Sequence, residues 1–225
     1  NEDSITGFSE SDDVEELRLR VMNTFSSQRR AVTLKDYEAM AYAMPPKFGK
    51  LKRVRAIKNP NPRRGNVSVA TISEDSDGAL VASNAVLKDN LATWLDKSRM
   101  MTDAVDIVDA KIINLQINFS VVGDVEKDSS IVLQDCIQAL VNKFSTAPAI
   151  GEHFYITDVY KELKDVAGVV DVVDVSVQTK RGADYANIAF QVEDNLSDDG
   201  RSIIIPRNAI YEIKFPEIDI KGAVR

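Results

Sequence analysis

One histidine and one cysteine are all that 225 residues supply of the two side chains most used as general base and nucleophile. His153 stands in Gly151-Glu152-His153-Phe154, at a predicted loop-to-strand junction, where a surface or capping imidazole is expected. Cys136 falls on the apolar stripe of a predicted helix and has no second cysteine to bond, so it reads as a reduced, buried thiol suited to a reducing cytoplasm. The same scarcity excludes a zinc site of the usual ligand set. No Walker A sequence, dinucleotide glycine fingerprint or Gly-x-Ser-x-Gly elbow is present.

Carboxylates are plentiful but badly placed. Asp103, Asp106 and Asp109 recur every third residue, which in an extended segment alternates them between faces. Asp165, Asp171 and Asp174 gather near a predicted turn without the alternating oxygen ligands of a calcium loop. The expectation is therefore a chain that is not an enzyme, with no cofactor, no metal and no small-molecule substrate. No apolar run approaches the roughly 20 residues that span a bilayer, so no membrane partner is expected, and no secretory leader is visible. The chain opens Asn1-Glu2-Asp3-Ser4 without an initiator Met, as a fragment or processed product would.

With 44% hydrophobic and 28% charged residues, the chain can bury a substantial core as one large domain or two small ones. Its formal charge of −7 argues against general affinity for nucleic acid, but the charge is unevenly spread. Lys47, Lys50, Lys52, Arg53, Arg55, Lys58, Arg63 and Arg64 contribute +8 with no acid among them, which leaves −15 on the remainder. This basic hairpin has three readings. It could track phosphates as a nucleic-acid-binding module, although Phe48 is the one aromatic available for stacking. Its cations could protect an exposed hairpin from random pairing. It could also dock on an acidic protein surface.

Periodicity sets out the elements. Residues 1–13 read as a flexible, solvated lead-in. A helix follows with Val14, Leu17, Val21 and Phe25 on one stripe. Thr33 and Asp36 form a capping-box pattern before a second helix, whose inner face is Tyr37, Met40, Ala41 and Met44 and which Pro45-Pro46 ends. Strands are expected at 51–57 and 67–72, and a helix over 84–97 with Leu87, Leu91, Trp94 and Leu95 inward. Ile113, Leu115, Ile117, Phe119 and Val121 alternate with Asn114, Gln116, Asn118 and Ser120, which predicts a strand with one wet face. Leu133, Cys136, Ile137, Leu140, Val141 and Phe144 predict an amphipathic helix. A shorter helix from Thr157, halted by Ala167-Gly168, precedes strands at 169–177 and 186–192 joined through Lys180-Arg181-Gly182.

The order helix, glycine, strand, basic turn, strand thus occurs twice, over 33–72 and 157–192. We expect an α+β fold of two related helix-plus-antiparallel-hairpin halves sharing a mixed helix/sheet core, 14–122 and 123–195, with an extended, strand-rich C-terminal tail over 196–225. In that tail Ile210, Tyr211, Ile213 and Phe215 lie between prolines, and Ile218 and Ile220 alternate with Asp219 and Lys221. Proline borders suit edge strands, covered either by the chain itself or by a strand of another subunit.

The run Glu15-Glu16-Leu17-Arg18, followed by Gln28-Arg29-Arg30-Ala31-Val32-Thr33-Leu34-Lys35-Asp36-Tyr37-Glu38-Ala39-Met40, resembles the baseplate J-like family of contractile tails. An acidic helix before Arg-Ala-Val-Thr-x-x-Asp-Tyr is that family's pattern. The layout of hairpin, helix and Arg99-Met100-Met101-Thr102-Asp103 before the long strand is similar too. Within the family, the chain looks most like the C-terminal part of the baseplate wedge subunits of T-even-type phages. The resemblance implies a structural protein of the virion tail, assembled in the host cytoplasm. It would pair as a homodimer, bind other wedge subunits and help form the ring around the hub. Two surfaces are the candidate interfaces: the basic hairpin (Lys50, Lys52, Arg53, Arg55, Lys58, Arg63, Arg64) and the tail (Ile210, Tyr211, Ile213, Phe215, Ile218, Ile220).

Overall fold

Thr33 starts a helix because its hydroxyl accepts the Asp36 N–H while the Asp36 carboxylate accepts the Thr33 N–H at 2.8 Å, so two otherwise unpaired donors are satisfied reciprocally. This helix, α1 (Leu34–Tyr42), is the first element in a computed structural model that describes residues 30–59, 67–75 and 78–225. The predicted helix around 14–25, and Arg63 and Arg64, lie outside the described residues. The chain is α+β, and it divides into two compact units at Ala110/Lys111.

In the first unit, β1 (Arg53–Lys58) and β2 (Val67–Glu74) form the expected antiparallel hairpin, with Arg53 opposite Ile72 and Lys58 opposite Val67. β3 (Leu80–Val81) folds back on the end of β2, and β4 (Val105–Asp109) runs parallel to β2. Between β3 and β4 lies α2 (Ala85–Asp96), capped by the Asn84 side chain. Tyr37, Met40, Leu87, Leu91 and Leu95 meet Val54, Val67 and Val69 in one apolar core. Trp94 joins the two helices by donating its indole N–H to the Met40 carbonyl at 2.8 Å.

The second unit is organised on β5 (Lys111–Gly123), whose alternate residues Ile113, Leu115, Ile117, Phe119 and Val121 are all buried. They pack on Val132, Cys136 and Leu140 of α3 (Ser129–Phe144) and on Val159 and Leu163 of α4 (Ile156–Lys164). Gly168, at φ +104°, turns the chain out of α4 into β7 (Val169–Thr179), which lies antiparallel to β5. A short pair, β6 (Phe154–Tyr155) and β8 (Ser202–Ile203), stands apart from this sheet.

Two features differ from the sequence reading, and a third settles an alternative it left open. The expected strand 186–192 is irregular, so the antiparallel partner of β7 is β5 and not a hairpin neighbour. Phe190 is nonetheless buried, with Ile188 and Val192 against the core, so the alternating pattern is satisfied by packing without strand pairing. The polar face of β5 is wet only in part: Asn114 is buried, whereas Gln116, Asn118 and Ser120 are half-buried, with Gln116 donating to Asn118 at 2.8 Å. Of the two ways left open for covering the C-terminal strands, the chain pairs them with its own β5. β9 (Ala209–Glu212) runs parallel to β5 at 111–114, and β10 (Ile220–Val224) runs parallel to β5 at 117–121, with the short helix α5 (Pro216–Asp219) between them.

Candidate interaction surfaces

In the basic hairpin, β1 is an edge strand whose N–H groups at Val54 and Ala56 are already taken. Tyr42 Oη accepts the Val54 N–H at 2.9 Å, and Glu38 Oε1 accepts the Ala56 N–H at 3.1 Å. The helix α1 thereby covers an edge for which guarding by cations was one of three readings. Lys52 is bound to both carboxylate oxygens of Glu74 at 2.7 Å. Arg53 donates to the Lys52 carbonyl. Lys50 and Lys58 are exposed and Arg55 half-buried. The structure brings Arg53, Arg55 and Lys58 along one strand with Lys52 just before it.

The tail residues separate into two groups. Ile210 and Ile220 are fully buried in the core of their own unit, and Tyr211 and Ile213 pack against it. Tyr211 stands edge-on to Phe154 with ring centroids 5.2 Å apart, and burial drives its hydroxyl pKa well above the usual tyrosine range. These four residues serve the fold. Phe215 and Ile218 remain 38% and 56% exposed and are the tail residues open to a partner.

A buried polar cluster that local pattern did not reveal holds this tail in place. Asp219, with no exposure, accepts from Lys180 Nζ at 2.6 Å, Tyr185 Oη at 2.9 Å and the Phe215 N–H at 2.9 Å. The Asp219 carboxylate, with Tyr185, raises the Lys180 pKa above its ordinary value. Tyr185 also meets the Phe215 ring edge-on at 5.6 Å. Asn114 completes the connection, donating to Glu212 at 3.0 Å and accepting the Ala186 N–H at 2.8 Å. No signal in a single sequence joins residues 34 to 98 positions apart.

His153, Asp103, Asp109 and Asp171, four of the candidate chemical groups, have structural partners. His153 Nδ1 accepts the Ile205 N–H at 3.1 Å. Cys136 is buried, and desolvation, with Asp135 adding to it, pushes its thiol pKa up to about 11. Asp103 accepts the Tyr37 hydroxyl at 2.8 Å, and Asp109 accepts Lys88 at 2.8 Å. Asp171 pairs with Lys164 at 3.5 Å. Among the described residues, no group of three or more His, Cys, Asp or Glu side chains is placed to hold a metal, and no helix is long and apolar enough to cross a membrane.

β7 has a free outer edge. Lys180 donates its N–H to the Asn114 carbonyl, so the ladder to β5 uses the even-numbered residues, and the N–H and C=O groups of Val175, Val177 and Thr179 face away from β5. Phe190 to Glu193 line one side of an open groove of about 560 Å³ whose lining also includes Val177, Gln178 and Thr179 of β7 and Arg181.

No family profile and no curated protein matches the chain. Among solved structures, it is similar to a chain of the anti-feeding prophage baseplate, determined by cryo-electron microscopy with six-fold symmetrisation. The likeness has a TM-score of 0.56 at 13% identity and covers 89% of this chain. The chain spans 41% of the length of that protein.

Proposed function

We propose that the chain is a non-catalytic structural subunit of a contractile-tail baseplate: a wedge component that self-associates and binds neighbouring wedge proteins in the ring around the hub. The observation that carries this reading is the shared fold with a baseplate protein over 89% of the chain. The Arg30-to-Tyr37 resemblance points the same way. Ala31 and Tyr37 of that run are buried and Thr33 with Asp36 caps α1, so it specifies how the helix starts and packs. On this reading the protein resides in the tail of the virion after assembly in the host cytoplasm. Its partners are a second copy and other wedge subunits, met through the basic hairpin and the exposed Phe215 and Ile218.

Gel filtration with light scattering on the full chain tests the first contact. A dimer that dissociates on dilution is expected; a strict monomer at high concentration counts against self-association. The alternative is a nucleic-acid-binding module built on residues 47–64, and the concentration of eight cations there is what favours it. Anisotropy titration with duplex and single-stranded DNA separates the two. The wedge reading expects no binding tighter than about 100 μM near physiological salt, the weak end of non-specific affinity.

A further inference from the structure

We propose that the free edge of β7, together with the Phe190–Glu193 wall, receives an extended basic segment of a partner protein as an added strand. The assignment deepens the proposed role in assembly by naming one contact surface.

Three observations carry it. First, the edge is unused: among the described residues, no backbone hydrogen bond joins the outward groups of Val175, Val177 or Thr179 to any other segment. A row of unpaired donors and acceptors beside a groove is the geometry to which extended peptides add. Second, the wall is detached. The segment expected to pair here leaves the edge instead, with Phe190 N–H bonded to the Ile188 carbonyl and its own carbonyl accepting Arg181 at 2.9 Å. Thr179, one of the residues lining the groove, has a buried Oγ1 with no hydrogen-bond partner. Third, the surroundings choose the occupant. Residues 111–225 hold 18 Asp and Glu against 12 Lys and Arg. Glu193 lies in the wall itself, Asp194 follows it, and Asp174 is exposed on the adjoining face of β7. Arg181, the cation in the groove, is already directed to the Phe190 carbonyl.

Successive side chains of an added strand point to opposite faces. One set meets Val177, Phe190 and Val192, and the other meets the Asp174 side. The fitting segment therefore alternates aliphatic residues with Lys or Arg. A second copy adding its own β7 would set acidic edges against each other, which like-charge repulsion disfavours.

The probe is an acetylated, amidated Val-Lys alternating peptide of about eight residues, within the usual length of a strand, with a Val-Glu peptide as comparator. Both are titrated into the full chain near physiological salt while amide exchange is followed by NMR. The Val-Lys peptide is expected to bind with Kd below about 1 mM and to slow exchange of the Val175, Val177 and Thr179 amides about tenfold or more. The Val-Glu peptide should bind at least about tenfold more weakly. Thr179→Pro, which removes an outward N–H, should abolish binding. Asp174→Lys with Glu193→Lys, both at exposed positions, should weaken it about tenfold in a protein that folds normally. Absence of binding, protection at other amides, or equal binding of the acidic peptide overturns the proposal. So does concentration-dependent protection without peptide, which identifies a second copy as the occupant. A negative result here leaves the baseplate reading to light scattering, because wedge contacts through other surfaces do not need this groove.

Discussion

Glu38 accepts the backbone N–H of Ala56 at 3.1 Å through one carboxylate oxygen and the ammonium of Lys35 at 2.7 Å through the other. One turn further along α1, Tyr42 does the same for Val54. A helix side chain thus occupies a strand's hydrogen-bonding edge, and a hairpin that reads as an exposed, cation-guarded ribbon becomes a closed one.

Glu38→Ala leaves the Ala56 N–H in a half-buried site without its acceptor and should lower stability by about 1–2 kcal/mol. Combining it with Tyr42→Phe uncovers two edge donors at once. The double variant is expected to associate with rising concentration, read by light scattering beside a urea melt.

Asp219→Ala removes the acceptor shared by Tyr185, Lys180 and the Phe215 N–H. A loss of about 2–3 kcal/mol is expected, since buried donors lose their partner and a cation its counter-charge. Limited proteolysis should cut first within 180–190 or 213–219, the segments joined by the cluster. Cleavage elsewhere with an unchanged melt would show that the cluster does not hold the tail.

Gly222 lies in β10 where a Cβ would come 2.2 Å from Phe119 Cζ and 2.7 Å from Leu133 Cδ1. Gly222→Ala should therefore cost about 1–3 kcal/mol by overpacking, detected as a lower urea midpoint. Gly182→Ala is the control. The nearest atom there is 3.7 Å away, and the midpoint should hold within the range of ordinary surface changes, about ±0.5 kcal/mol.

Burial pushes the Cys136 thiol pKa up to about 11, and burial with the Asp103 hydrogen bond pushes the Tyr37 hydroxyl up to about 12. Both groups bind their protons more tightly folded than unfolded. Their contribution is complete below the ordinary values of 9.0 and 10.0 and is lost as pH rises toward 11 and 12. Urea midpoints should hold near neutral pH and fall above about pH 9. Cys136→Ala with Tyr37→Phe should flatten that fall. Thiol reagents at pH 8 should label Cys136 only after denaturant is added.

Much of the fold was legible because its causes are local. Thr33 and Asp36 are three residues apart, so the capping box is visible in the string. The 2.0 period of Ile113 to Val121 and the helical spacing of Leu133 to Phe144 each state which face will be buried. The same reasoning misplaced 186–192. Alternation of Ile188, Phe190 and Val192 records that these side chains go inward, but it does not record whether the backbone finds a partner. It also left Asn114 on a wet face, since nothing nearby announces that Glu212 and Ala186 will take up its carboxamide.

The sequence by itself determined the α+β class, the helix starts, the buried faces and the scarcity of catalytic side chains, all of which follow from residue type and short-range spacing. Only the tertiary structure decided which edges are free. Closing β1 depends on Glu38 and Tyr42 reaching strand amides 18 and 12 residues away. Seating the tail depends on parallel pairing of 209–212 and 220–224 with a strand about a hundred positions earlier. Backbone hydrogen bonds are blind to residue type, so their partners are chosen by the packing of the whole unit. The open edge of β7 is what that packing leaves over.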